Sequence, residues 1–213
     1  MTGYATLKII CSEHGTLSAM LRSILLLLSE HRRRGTLPDF NVLRAMLFYV
    51  DEFAERRHHT KESELLFPKI RARTDELRDV LDRLDSDHGR SELRVRDLEH
   101  ELLGFEMMSE SVDGEDRRAR FESSMRAFAD DYLAHIRVEE EHVLPVAERV
   151  LTAADWSELD AASMRNRDPL TQREPDDVYR PLFMRILKTL PAPIGLGSAT
   201  EALAASHRQA PAG

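Results

Sequence analysis

An element of eleven residues occurs twice in this chain, and it is built from metal-ligating side chains. The copies are His58-His59-Thr60-Lys61-Glu62-Ser63-Glu64-Leu65-Leu66-Phe67-Pro68 and His135-Ile136-Arg137-Val138-Glu139-Glu140-Glu141-His142-Val143-Leu144-Pro145, and both read H-x3-E-x5-P. On a helix, residues four apart lie one above the other. Each copy therefore aims an imidazole and a carboxylate at one point. Nitrogen and oxygen donors of this kind, without sulfur, suit iron or manganese better than structural zinc.

The elements that carry these pairs are helical. Helix formers dominate, and apolar residues recur at three- and four-residue spacing. Helices are predicted from about Leu7 to Arg33, Asp39 to Ile70, a start near Thr74-Asp75-Glu76 to Met108, and Glu115 to Val150. They break at Gly35-Thr36-Leu37-Pro38, near Arg73, and at Ser111-Val112-Asp113-Gly114. Short connections between long helices make neighbours antiparallel, so the fold class is all-α, an up-down-up-down four-helix bundle over residues 1–151. Residues 152–190 read as a C-terminal helical extension, with short helices from Thr152 to Ala162 and Asp177 to Leu190. The Pro/Gly/Ala-rich stretch 191–213 reads as a flexible tail.

Polar intruders interrupt the apolar stripe of every helix. They are His14 on the first, His58 and Glu62 on the second, His88 on the third, and His135 and Glu139 on the fourth; His142 lies on the last stripe as well. His14 precedes the Gly35 turn by 21 residues and His58 follows it by 23. His88 matches His58 across the Arg73 turn, and His135 matches His88 across Gly114. At about 1.5 Å of rise per residue, all four histidines can share one layer. Four imidazoles and two carboxylates in an apolar core are costly unless they are paired or bind a metal. Glu62 and Glu139, entering from different helices, could bridge two ions with the histidines completing each coordination sphere.

These residues resemble the haemerythrin-like, HHE cation-binding domain family. The resemblance is carried by Glu13-His14, by His58-His59-Thr60-Lys61-Glu62 with Leu66-Phe67-Pro68, by Asp87-His88-Gly89, and by His135-Ile136-Arg137-Val138-Glu139-Glu140. It covers about residues 7 to 150. A weaker likeness to the C-terminal extension of bacterial members runs from Trp156 through Asp168-Pro169-Leu170 to Pro193-Ile194-Gly195-Leu196-Gly197. The resemblance implies two iron ions with oxo or hydroxo and carboxylate bridges, held by His14, His58, Glu62, His88, His135 and Glu139, with manganese or zinc as substitutes. It further implies binding or sensing of a small ligand such as O2, NO or peroxide, or iron handling in oxidative or nitrosative stress. The chain departs from the oxygen carriers of that family. Their third helix has two histidines four apart, whereas Leu84 and Glu92 flank His88 here. Their last helix has H-x4-D where this one has H-x3-E. Fewer nitrogen ligands weigh against reversible oxygen carriage and leave redox or sensing chemistry.

Other residues read more plainly. His59 points away from its neighbour and is assigned to the surface or to a supporting role. His142 and Tyr132 are assigned to core packing or support, and Cys11 to the core. Glu92 as a replacement ligand is a minor alternative. A rival class, a ferritin-like di-iron oxidase, finds support in Glu55-x-x-His58 and Glu139-x-x-His142. It requires Glu13 and Glu92 as well, and the apolar stripes pass these and Glu55 by. A metal-free bundle that binds partner proteins leaves the layered histidines unexplained. No dedicated acid–base residue stands out, which favours a binding or sensing protein over an enzyme.

Composition narrows the class further. A net charge of −8 argues against nucleic-acid binding, and a single cysteine rules out an internal disulfide framework. The apolar run Ser23-Ile24-Leu25-Leu26-Leu27-Leu28 is too short for a bilayer and lacks the flanks of a signal peptide. A cytoplasmic protein without membrane association is expected, as a monomer or a homodimer.

Overall fold

The structure is a computed structural model and describes residues 4–163. Four long helical rods form the bundle: α1 (Ala5–Arg34), α2 (residues 40–73), α3 (Arg78–Met108) and α4 (residues 114–150). A short α5 (Ala153–Ser163) follows. The described residues contain no strand, and none of their helices is long and apolar enough to cross a membrane. The expected helix at Asp177 to Leu190 and the tail from 191 lie outside the described residues.

Local chemistry sets each turn. Gly35 closes α1 at φ 64°, where its N–H and that of Thr36 reach back to the Arg32 and His31 carbonyls. Only glycine enters this left-handed region without steric cost. Asp39 caps α2, accepting from the Asn41 and Val42 amides at 2.9 and 3.3 Å. The third rod begins at Arg78, slightly later than its sequence signals suggest, because Thr74 and Asp75 are spent on a turn: Thr74 Oγ1 accepts from the Glu76 amide and the Asp75 carbonyl from Arg78. At Gly114, which opens α4, a Cβ would lie 2.6 Å from the Met108 carbonyl oxygen, so the turn closes only on glycine.

Two rods depart from regular α geometry, at three stretches of which two fall within the doubled element. In α2, π-helical stretches occupy Val50–His58 and Glu62–Leu66; in α4 one occupies Glu139–Val143. The paired prolines explain the last two. Pro68 and Pro145 have no N–H to give to the carbonyl four residues back, and their rings crowd it, so the preceding turn widens. Each wide turn starts at the glutamate of its H-x3-E pair.

The core is split. One apolar cluster runs from Leu17 through Ala54 and from Val95 to Ile136; a second joins Ile10, Leu66 to Ile70, Leu77 to Leu84 and Val143 to Leu159. The polar residues of all four rods lie in the layer between them.

Candidate metal centre

Each rod delivers its histidine to this layer, and α2 and α4 add a glutamate one turn on. His14, His58, Glu62 and Glu139 are each 1% exposed, while His88 and His135 are nearly buried. Their Nε2 atoms and carboxylate oxygens converge in two groups. His14, His58, Glu62 and Glu139 form one, and His88, His135, Glu62 and Glu139 the other, each with its ligand atoms within 4.8 Å of one another.

The two glutamates belong to both groups through different oxygens. Glu62 Oε1 lies 3.4 Å from His58 Nε2 and 3.7 Å from His14 Nε2, whereas its Oε2 lies 3.7 Å from His88 Nε2. Glu139 Oε2 lies 3.2 Å from His14 Nε2, and its Oε1 lies 3.1 Å from His135 Nε2. Despite this proximity, His14 Nε2, His58 Nε2 and all four carboxylate oxygens have no partner in hydrogen-bond geometry. Their mutual attraction is electrostatic, between groups not aligned for hydrogen bonds. Burying six unsatisfied polar atoms at one point costs on the order of 1–3 kcal/mol each. A cation satisfies all of them at once. His88 Nε2 and His135 Nε2 also face each other at 3.0 Å, which requires a shared proton or a cation between them.

The outer nitrogens are held from behind. His58 Nδ1 meets Glu13 Oε2 at 3.0 Å, and His14 Nδ1 meets Glu140 Oε1 at 3.1 Å. His88 Nδ1 lies 2.8 Å from Ser63 Oγ, whose hydroxyl donates to Asp85 at 2.6 Å. Such contacts fix the tautomer that leaves Nε2 free to ligate. Glu13 is further paired with the buried Lys61 ammonium.

Electrostatics follows from burial and these carboxylates. Burial pushes His58 down to about 3, so its imidazole is neutral at ordinary pH, the form a metal requires. Burial also opposes charge on His14, yet Glu139, Glu140 and Glu62 together hold it well above the ordinary imidazole range. Against the same burial, Glu139 chiefly raises His135. Burial works to neutralise Glu139, but His135, His14 and His88 keep it well below the usual carboxylate range.

Several other residues are placed differently from what the sequence suggests. His59 is buried, 4% exposed, with its ring stacked on His88 at 3.9 Å and its Nε2 2.8 Å from the Tyr132 hydroxyl. His59, His88 and His135 form a third cluster of potential ligand atoms. His142 is exposed, because the wide turn at Glu139–Val143 advances the stripe by one residue and brings Val143 inward. Cys11 is exposed as well. Glu92 faces solvent and pairs with Arg96, which removes it as a ligand. Glu13, passed over by the apolar stripe, is buried, but its carboxylate serves His58 and Lys61. With His142 and Glu92 outside the centre, the ligand set of the ferritin-like alternative is not assembled; the Glu55 side chain is outside the described residues.

Residues 6–147 match the family model of the Hemerythrin HHE cation binding domain. None of the curated proteins matches the chain. The matched span contains all six converging residues and covers well over half of the sequence. The chain belongs to this family and carries its cation-binding domain.

Proposed function

We propose that this member of the hemerythrin HHE family holds two iron ions, one at His14 and His58, the other at His88 and His135, with Glu62 and Glu139 bridging them. The observation that carries this reading is the set of buried, unsatisfied donor atoms in which each carboxylate turns one oxygen to each histidine pair. Nitrogen and oxygen donors favour iron or manganese, with zinc as a substitute. Bound there, the metal pair would supply redox chemistry and a place for a small ligand such as O2, NO or peroxide.

The chain's own residues do the rest. Glu13, Glu140 and Ser63 orient His58, His14 and His88, and the two apolar clusters close the layer at both ends. Two histidines per ion leave room for an added ligand, which fits sensing or turnover in oxidative or nitrosative stress. A small-ligand partner in place of nucleic acid accords with the acidic composition.

The test is spectroscopic. Protein made aerobically should show visible charge-transfer bands of an oxo-bridged iron pair, and these bands should shift on adding azide. A stably folded, colourless, metal-free protein would overturn the proposal.

A further inference from the structure

Ser23 is 1% exposed and Tyr49 0%, although both are turned away from the bundle axis. Each precedes a core residue, Ile24 or Val50, by one position, which rotates it by about 100° on its helix. Ser23 lies on the flank of α1 that meets α2, the flank of Glu13, whose carboxylate pairs with His58 and Lys61. The opposite flank carries Arg32, which pairs with Glu115 and Glu122 of α4. Ser23 lies 12 residues before Gly35 and Tyr49 10 residues after Asp39, so the two share one height beside the outer groove between α1 and α2.

A short helix already fills the lower end of that groove. α5 joins both rods: Asp160 accepts from Thr6 Oγ1 at 2.6 Å on α1, and Glu158 and Asp155 pair with Lys69 and Arg73 on α2. Its last residue, Ser163, is buried. The Thr6 contact lies 17 residues below Ser23, about 25 Å along α1. Among the described residues, the main elements packed on α1 are α2, α4 and α5. With α4 on the other flank and α5 far below, only α2 stands beside Ser23. Two rods side by side leave their outer groove open to solvent, so full burial of Ser23 and Tyr49 calls for a third element over it.

We propose that residues 177–190 of this chain, beyond the described residues, form that cover as a helix laid along the upper groove. Pro181 is a favoured first helical residue, and after it Leu182, Phe183, Ile186, Leu187 and Leu190 fall on one face, with Arg185 and Lys188 opposite. The ten residues from Pro181 to Leu190 rise about 15 Å, the distance along α1 from Glu13 to Ser23. The chain leaves α5 inside the same groove, and the stretch from 164 to 180 is ample to lead upward from there. A second copy would have to enter a groove whose lower end is occupied; this segment starts in it. The cover closes over the buried Glu13–Lys61 pair and so ties the C-terminal extension to the rods that carry His14 and His58.

The test is the reactivity of one thiol, Ser23→Cys, in the full chain carrying Cys11→Ser. Cys11 is exposed and is the only native cysteine, so the new thiol reports alone. A maleimide should modify it about a hundredfold more slowly than in the urea-unfolded chain. Phe183→Asp with Ile186→Asp should lift the cover and speed the reaction about tenfold or more, equally in dilute and concentrated protein. Both substitutions lie outside the bundle, which should keep its far-UV circular dichroism. Modification as fast as in the unfolded chain before the aspartates are introduced overturns the proposal, as does a rate that they leave unchanged. A rate that rises on dilution instead assigns the cover to a second copy and overturns it too.

Discussion

Glu13→Gln perturbs a buried carboxylate that serves two partners at once. Glu13 is 2% exposed and Lys61 4%, and the carboxylate accepts from the Lys61 ammonium and meets His58 Nδ1 at 3.0 Å. Glutamine keeps the volume and removes the charge, leaving the ammonium buried without its counter-ion. Breaking one side of a buried pair costs about 3–5 kcal/mol. Against a typical domain stability of about 5–15 kcal/mol, that is a large share. Removing both charges is different: Glu13→Leu with Lys61→Met should cost far less than the two single changes added together. Urea unfolding of metal-stripped protein, followed by far-UV circular dichroism, reads this directly. Metal affinity separates the partners further. Glu13→Gln loosens His58 and should lower metal affinity about tenfold to a hundredfold. Lys61→Met leaves the Glu13–His58 contact in place and should change it little. A Glu13→Gln protein with the parent's urea midpoint and metal affinity would refute the assignment, as would a double variant as unstable as the sum of the singles.

Three further outcomes are expected. His14→Ala or His88→Ala should each lower iron to about half the parent content by elemental analysis, since each removes a ligand from one group only; unchanged iron would speak for a ligand set without these histidines. Pro145→Ala restores the missing N–H and should stabilise the metal-free protein by about 1 kcal/mol or more in urea while weakening metal binding, because the wide turn that presents Glu139 is lost. Acid should undock α5. Asp155 is lowered from 3.8 to about 2 by hydrogen bonds from Thr152 and by Arg73, and Asp160, despite burial acting to raise it, is lowered by hydrogen bonds from Thr6 and Ala5. A depressed carboxyl pKa contributes stability that is present above the unfolded value and lost as pH falls through the folded one. The only tryptophan, Trp156, stacked on Tyr4 at 4.4 Å, should therefore shift its emission to the red between about pH 4 and pH 2. Emission unchanged to pH 2 would contradict that docking.

Much of the bundle and all six converging residues are legible in the sequence, because imidazole and carboxylate on an apolar stripe violate the binary pattern at matching heights. The turns at Gly35 and Gly114 are legible too, since glycine meets a steric demand there. What escapes is phase. A stripe counted at 3.6 residues places Leu65 and His142 inward; the wide turns before Pro68 and Pro145 bring in Leu66 and Val143 instead. The prolines were the visible signal for this shift. Burial of Glu13 and Lys61 is invisible to an apolar stripe because each is tolerated in the core only through the other, from a different helix. His59 escapes for a related reason: on α2, His58, His59, Lys61 and Glu62 are all buried, so only a narrow strip through Arg56, Thr60 and Glu64 faces outward at the level of the centre.

The most direct test of the paired centre is anomalous diffraction at the iron edge from crystals of aerobically prepared protein. Two peaks are expected, one against His14 and His58 and the other against His88 and His135, with Glu62 and Glu139 spanning them. A single peak, or peaks away from these six residues, would contradict it.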